Sequence, residues 1–171
     1  GLGAGGVYHD RVKNFEVARL FYEIATLREV NGESRFRVRA YQRAAQTLEA
    51  LAEDVEAVAA RGGLIALPGI GRYTAGALLS FAFGRDVAVL DTNVRRVLSR
   101  VFLGPRGTAR VRGENALWDL AESLVPAGRG YDFNQALMDF GATWCTPRRP
   151  RCAGCPMRRF CASVAPPSTA A

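Results

Sequence analysis

Apolar residues recur with a helical period along most of the chain. Val17, Leu20, Phe21, Ile24 and Leu27 fall at i, i+3, i+4, i+7 and i+10, which places them on one face of a helix. Asn14 is the expected N-cap of that helix, and "NGES" ends it. Ser34 is the expected cap of a second helix, in which Tyr41, Ala44, Leu48 and Leu51 form the buried stripe and Arg35, Arg39 and Arg43 share the opposite face. A short helix is expected from Asp54 to Arg61. Further helices are expected over 93–102 (Val94, Val97, Leu98, Val101), 114–125 (Leu117, Leu120, Ala121, Leu124) and 132–144 (Phe133, Ala136, Leu137, Phe140, Trp144). "DVAVLD" has strand character but no partner strand, so it reads as an extended linker. The expected fold class is therefore all-α, a compact helical bundle of about seven short helices. "GLGAGG" and "APPSTAA" lack any apolar period and are expected to be disordered ends.

The charge distribution sharpens this picture. The net charge is +7, but residues 1–63 carry nine basic and nine acidic side chains, residues 64–144 nine and seven, and residues 145–171 five and none. An anionic partner is expected to dock on the C-terminal part first. The arginine row of the second helix is open to two readings, a solvated face or a phosphate contact. Apolar stretches such as "AGALLSFAFG" stop well short of the roughly 18 residues a membrane span needs, and no charged-then-apolar leader opens the sequence. The expectation is a soluble cytoplasmic protein.

Two segments carry candidate chemistry. "LPGIG", followed by Arg72, makes a tight turn whose backbone N–H groups sit at the start of the next helix. Such a turn accepts a phosphate oxygen or simply connects two helices. All four cysteines, Cys145, Cys152, Cys155 and Cys161, lie in one short basic loop with the spacing C-x6-C-x2-C-x5-C. Four clustered thiols in a leaderless chain point to a metal centre rather than disulfides. Spacing alone leaves zinc and a [4Fe–4S] cluster both open.

"LPGIGRYTAGALLSFAFGRDVAVLDTNVRRVLSRVF", continued by "ENALWDLAESLV" and "YDFNQALMDFGATWCTPRRPRCAGCP", closely resembles the adenine DNA glycosylase (MutY) branch of the helix-hairpin-helix, Gly/Pro-Asp (HhH-GPD) glycosylase superfamily, which also contains endonuclease III. The resemblance covers about residues 64–162. It implies a helix-hairpin-helix motif with Leu67, Gly69, Gly71, Arg72, Tyr73 and Thr74 on a DNA backbone phosphate. It also implies a structural [4Fe–4S] cluster on the four cysteines, whose loop presents Arg148, Arg149, Arg151, Arg158 and Arg159 to DNA. Residues 14–71 resemble a different family, the N-terminal helical domain of family X DNA polymerases, and the two resemblances meet at the hairpin. The expected organisation is an N-terminal helical lobe over 1–63, a glycosylase-like core over 64–144, a cluster loop over 145–162 and a disordered tail over 163–171.

Asp91, at the head of "DTNVRRVL", has the residue type and position of an N-cap. The resemblance places it on the family's catalytic aspartate, which stabilises the cationic sugar formed as an N-glycosidic bond breaks. Bifunctional relatives carry a Schiff-base lysine two residues after the last hairpin glycine; here that position is Tyr73, and Lys13 is the chain's only lysine. Hydrolysis without strand cleavage is thus implied, most directly of adenine opposite 8-oxoguanine or guanine, by a nucleoid-associated bacterial monomer acting on mismatched or damaged double-stranded DNA. The upstream glutamate motif of the adenine glycosylases has no match, and Glu23, Glu29 and Glu33 are upstream acids without a motif around them. A non-catalytic helix-hairpin-helix DNA-binding protein is the alternative.

Overall fold

The structure, a computed structural model, describes residues 4–32, 35–105 and 114–164. Every regular element among them is helical, and no strand occurs. The all-α expectation holds. Its iron–sulfur part does not: among the described residues no group of three or more His, Cys, Asp or Glu side chains is placed to hold a metal ion. No helix among them is long and apolar enough to cross a membrane. The chain divides into two compact units, Gly1–Ala75 and Gly76–Ala171.

In the first unit α1 (Ala4–Val30) packs along α2 (Arg35–Glu49), followed by α3 (Val55–Ala60) and a 3-10 turn over Gly63–Ala66. The N-terminal expectations need correction here. Helix α1 already includes Ala4–Gly6, and Asn14 lies inside it rather than capping it. The buried face is Asn14, Ala18, Phe21 and Ala25, whereas Leu20, Ile24 and Leu27 are exposed. Alanine decides this, because Ala18 and Ala25 on α1 and Ala44 and Ala45 on α2 are all buried and let two helices approach closely. Asn14 does cap a helix, but a distant one. Its Nδ2 donates to the Glu53 carbonyl at 2.8 Å and its Oδ1 accepts from the Val55 N–H at 2.8 Å, which fixes the entry to α3 alongside its N-cap, Asp54. Arg35, Arg39 and Arg43 are exposed, opposite buried Val38, Ala45 and Leu48. Ser34, Glu33 and the tail 165–171 lie outside the described residues.

Helix α4 begins at Arg72 and runs to Ala77, then continues as a π-turn over Leu78–Ala82. In the second unit α5 (Thr92–Leu98) continues likewise through Ser99–Leu103, and α6 (Glu114–Leu124) and α7 (Gly130–Thr143) follow. Ala88, Leu90, Val94, Leu98, Leu117, Trp118 and Ala121 form the core. The linker over 86–91 is extended as expected, and Ala88, Val89 and Leu90 are all buried. A buried extended segment needs hydrogen-bond partners, and here side chains supply them. Asn134 accepts from the Val89 N–H at 3.0 Å and donates to the Val87 carbonyl at 2.8 Å and to Ser80 Oγ at 2.9 Å; Glu122 accepts from the Ala88 N–H at 3.1 Å. Gly76 permits the approach, since a Cβ there would lie 2.7 Å from the Ala88 carbonyl oxygen.

Two consequences are measurable. Replacing Asn134 with Ala strands the Val89 N–H and the Val87 carbonyl in the core, and should lower unfolding stability by about 3 kcal/mol, read as a fall in the denaturant midpoint. Asp86 accepts from the N–H groups of Gly128 at 2.6 Å and Gly130 at 2.9 Å, and these bonds hold its carboxyl below the usual aspartate range. A lowered folded-state value adds stability above the ordinary aspartate pKa, and that contribution disappears as pH falls through the folded-state value. The Asp86→Asn variant should therefore lose less stability on acidification than the parent chain, as followed by thermal melts from neutral pH downward.

Candidate nucleic-acid interface and the Asp91 site

The hairpin follows from its sequence. Leu67, Pro68, Gly69 and Ile70 form a turn closed by Ile70 N–H on the Leu67 carbonyl at 3.0 Å. Proline fixes the second position, and the third, at φ +84°, requires glycine. The turn is seated on α2. Thr47 Oγ1 donates to the Pro68 carbonyl at 2.8 Å, and a Cβ on Gly69 would lie 2.9 Å from the Ala44 backbone nitrogen. Buried Leu64 and Ile70 anchor its two sides. Gly69, Gly71 and Arg72 are exposed, and Leu67, Tyr73 and Thr74 are half-buried. The N–H groups of Gly69 and Gly71 donate to no acceptor among the described residues, which leaves two backbone donors available to an anion.

Asp91 is the N-cap of α5, in extended geometry. Its Oδ1 accepts from the Val94 N–H at 2.6 Å and its Oδ2 from Asn93 Nδ2 at 3.1 Å, so the half-buried carboxylate has a fixed orientation. From Asn93 the chain of bonds continues. Arg96 donates to Asn93 Oδ1 at 2.8 Å, to the Gly141 carbonyl at 2.7 Å and to the Cys145 carbonyl at 2.8 Å. Helix α7 reaches this point because residue 141 is glycine; a Cβ there would lie 2.8 Å from Asn93 Cβ. One turn on, Arg100 donates to the carbonyls of Thr146 at 2.8 Å and Pro147 at 2.9 Å. Sequence reasoning missed Asn93, Arg96 and Arg100. Their i, i+3, i+7 spacing was the available signal, since it puts all three on one helical face.

The cysteine loop is strapped to α5 and its π-turn. Cys145, Cys152, Cys155 and Cys161 are free and half-buried, and they line one pocket with Val101, Phe140, Trp144 and Met157. They share that pocket without converging as a ligand set. Cys145 Sγ accepts from the Arg100 guanidinium at 3.5 Å, and Cys161 Sγ donates to the Arg100 carbonyl at 3.5 Å. The expected [4Fe–4S] centre on these cysteines is corrected accordingly. Ser163 Oγ and the Ala162 N–H close the strap on the carbonyls of Arg100 and Val101, each at 2.8 Å. Arg148, Arg149, Arg151, Arg158 and Arg159 are exposed on the loop, with Arg158 also donating to the Cys152 carbonyl at 3.1 Å. Of the upstream acids, Glu23 is exposed and pairs with Arg19 at 3.6 Å, and Glu29 is exposed.

Parts of the chain resemble known proteins. A helix-hairpin-helix domain family matches residues 12–82. The chain is 50% identical over 95 residues to the adenine DNA glycosylase of Homo sapiens, which is 56% of this chain and 17% of that protein. It is 45% identical over 101 residues to the thymine/uracil-DNA glycosylase of Methanothermobacter thermautotrophicus, covering 59% of this chain and 45% of that one. A solved thermostable thymine-DNA glycosylase superposes with a TM-score of 0.62 at 36% identity, over 75% of this chain and 58% of that chain. The chain thus spans less than half the length of these two sequence relatives. Over the matched segment it is homologous to the adenine and thymine DNA glycosylases of the helix-hairpin-helix superfamily.

Proposed function

We propose that this chain is a base-excision DNA glycosylase that hydrolyses the N-glycosidic bond of a mispaired base and leaves the strand uncut. The observation that carries the reading is the Asp91 carboxylate, held by two hydrogen bonds at a helix start within a segment about half identical to a DNA glycosylase. Once the target nucleotide is rotated out of the stack, bond cleavage leaves positive charge on the sugar. An ionised carboxylate that needs no reorientation stabilises that charge. The nucleobase leaves with the bonding electron pair, water adds to the anomeric carbon, and the water's proton ends on the departing nucleobase, so the products are the free base and an abasic sugar.

The hairpin donors at Gly69 and Gly71, with Leu67, Arg72, Tyr73 and Thr74 around them, hold a backbone phosphate in this reading. Arg148, Arg149 and Arg151 add further phosphate contacts on a double-stranded substrate bound by a monomer. Tyr73 cannot form a Schiff base, and the sole lysine, Lys13, is engaged at 2.7 Å with Glu56, which favours hydrolysis over strand scission. The base is adenine opposite 8-oxoguanine or guanine in the first reading. Thymine or uracil in a mismatch is the second, favoured by the thymine/uracil relative and the thymine-DNA glycosylase structure.

Single-turnover base release on duplexes carrying each of these mismatches separates the readings. Asparagine caps helices as well as aspartate does, so Asp91→Asn removes the charge and keeps the cap. Release by the parent chain should fall by at least about 100-fold in the variant, with an intact abasic strand as product. Binding with no release on any duplex would instead identify a non-catalytic helix-hairpin-helix DNA-binding protein.

A further inference from the structure

Residues 1–63, with nine basic and nine acidic side chains, conceal a segregated charge behind a neutral count. Helix α2 carries Arg35, Arg37, Arg39 and Arg43 but only one carboxylate, Glu49 at its last position, and that group accepts from the Tyr22 hydroxyl at 3.1 Å. Arg35, Arg39 and Arg43 stand at i, i+4 and i+8, so they form a ridge on the face opposite the buried Val38, Ala45 and Leu48. All three are exposed, and among the described residues none of their guanidinium groups meets a carboxylate. A helix that only needed a solvated face gains from mixed charges four residues apart, whereas like charges at that spacing repel. This ridge has the repelling arrangement.

Its lower end is the hairpin. A Cβ on Gly69 would lie 3.2 Å from Arg43 Cγ, and Thr47, one turn beyond, holds the Pro68 carbonyl at 2.8 Å. The Arg43 end of the ridge therefore abuts the hairpin that carries the backbone donors at Gly69 and Gly71, within one unit. We infer that the Arg35–Arg39–Arg43 ridge is a second phosphate-binding surface, continuous with the hairpin, that tracks the sugar-phosphate backbone of the bound duplex. The ridge extends about 12 Å along the helix axis. One strand of a duplex presents a phosphate roughly every 3.4 Å of axis, so the ridge spans about three phosphates, of which its three side chains neutralise two or three. Contacts of this kind position the protein without reading sequence.

This inference rests on the DNA-binding part of the reading above, and the test separates the two. Duplex affinity of the full chain is measured by fluorescence anisotropy across a salt series for the parent, the triple variant Arg35→Gln/Arg39→Gln/Arg43→Gln, its Arg→Lys counterpart, and Arg85→Gln/Arg129→Gln as a charge control in the second unit. Thermal midpoints check folding. The triple Gln variant should show a salt slope shallower by about 1.8 to 2.7, at about 0.9 for each phosphate no longer neutralised, equally on every duplex sequence. The Lys variant and the control should keep the parent slope. An unchanged slope in the triple Gln variant, or an equal loss in the control, would overturn the ridge while leaving base release untouched. A shallower slope in a chain that releases no base would support the ridge and sink the glycosylase reading. No duplex binding by the parent chain would end both.

Discussion

The Arg96 guanidinium is the point at which the second unit is joined. It bonds at once to Asn93 at the head of α5, to the carbonyl of Gly141 on α7 and to the carbonyl of Cys145 in the loop beyond. A planar group with five donors in a fixed fork can satisfy three acceptors from three segments, which a flexible ammonium does less well. Because Asn93 also donates to Asp91, the orientation of that carboxylate is mechanically linked to the seating of a loop more than fifty residues later in the chain. The glycine at 141 is what makes the join possible, since any side chain there would push α7 off the start of α5.

Much of this is legible in the sequence. The helices expected over 93–102, 114–125 and 132–144 occur within a few residues of those limits, because Val94, Leu98, Leu117, Ala121 and Leu137 face a single shared core and periodicity reads such faces well. Asp91 caps the helix it precedes. The first helix is misread by its periodicity, because large aliphatic residues outweigh the alanines that make the close contact. Periodicity ranks Leu20, Ile24 and Leu27 above Ala18 and Ala25, yet a tightly packed helix pair favours the small side chains. Asn14 is recognisable as a capping residue but points by sequence to the wrong helix, since its partner lies 41 residues away and no local pattern reports it.

The candidate site divides in the same way. The hairpin glycines and Asp91 stand out because turn and cap chemistry is local. Arg96 and Arg100 do not, because a sequence shows a basic residue without showing that its partners are backbone carbonyls. Net charge misleads for a related reason. A lobe with equal numbers of acids and bases reads as a poor docking surface, although its acids lie mainly on other elements than the helix that carries the arginine row.

The bond between Asn14 and Val55 also constrains how the first unit can assemble. A six-residue helix such as α3 has too few turns to persist in isolation, and its first free amide finds its acceptor only on α1. The closing of a 41-residue loop must therefore come before, or together with, the folding of α3 and the 3-10 turn that leads into the hairpin. The anion-binding turn is thus local in sequence but non-local in origin: it forms on a platform whose last piece is supplied by the N-terminal helix.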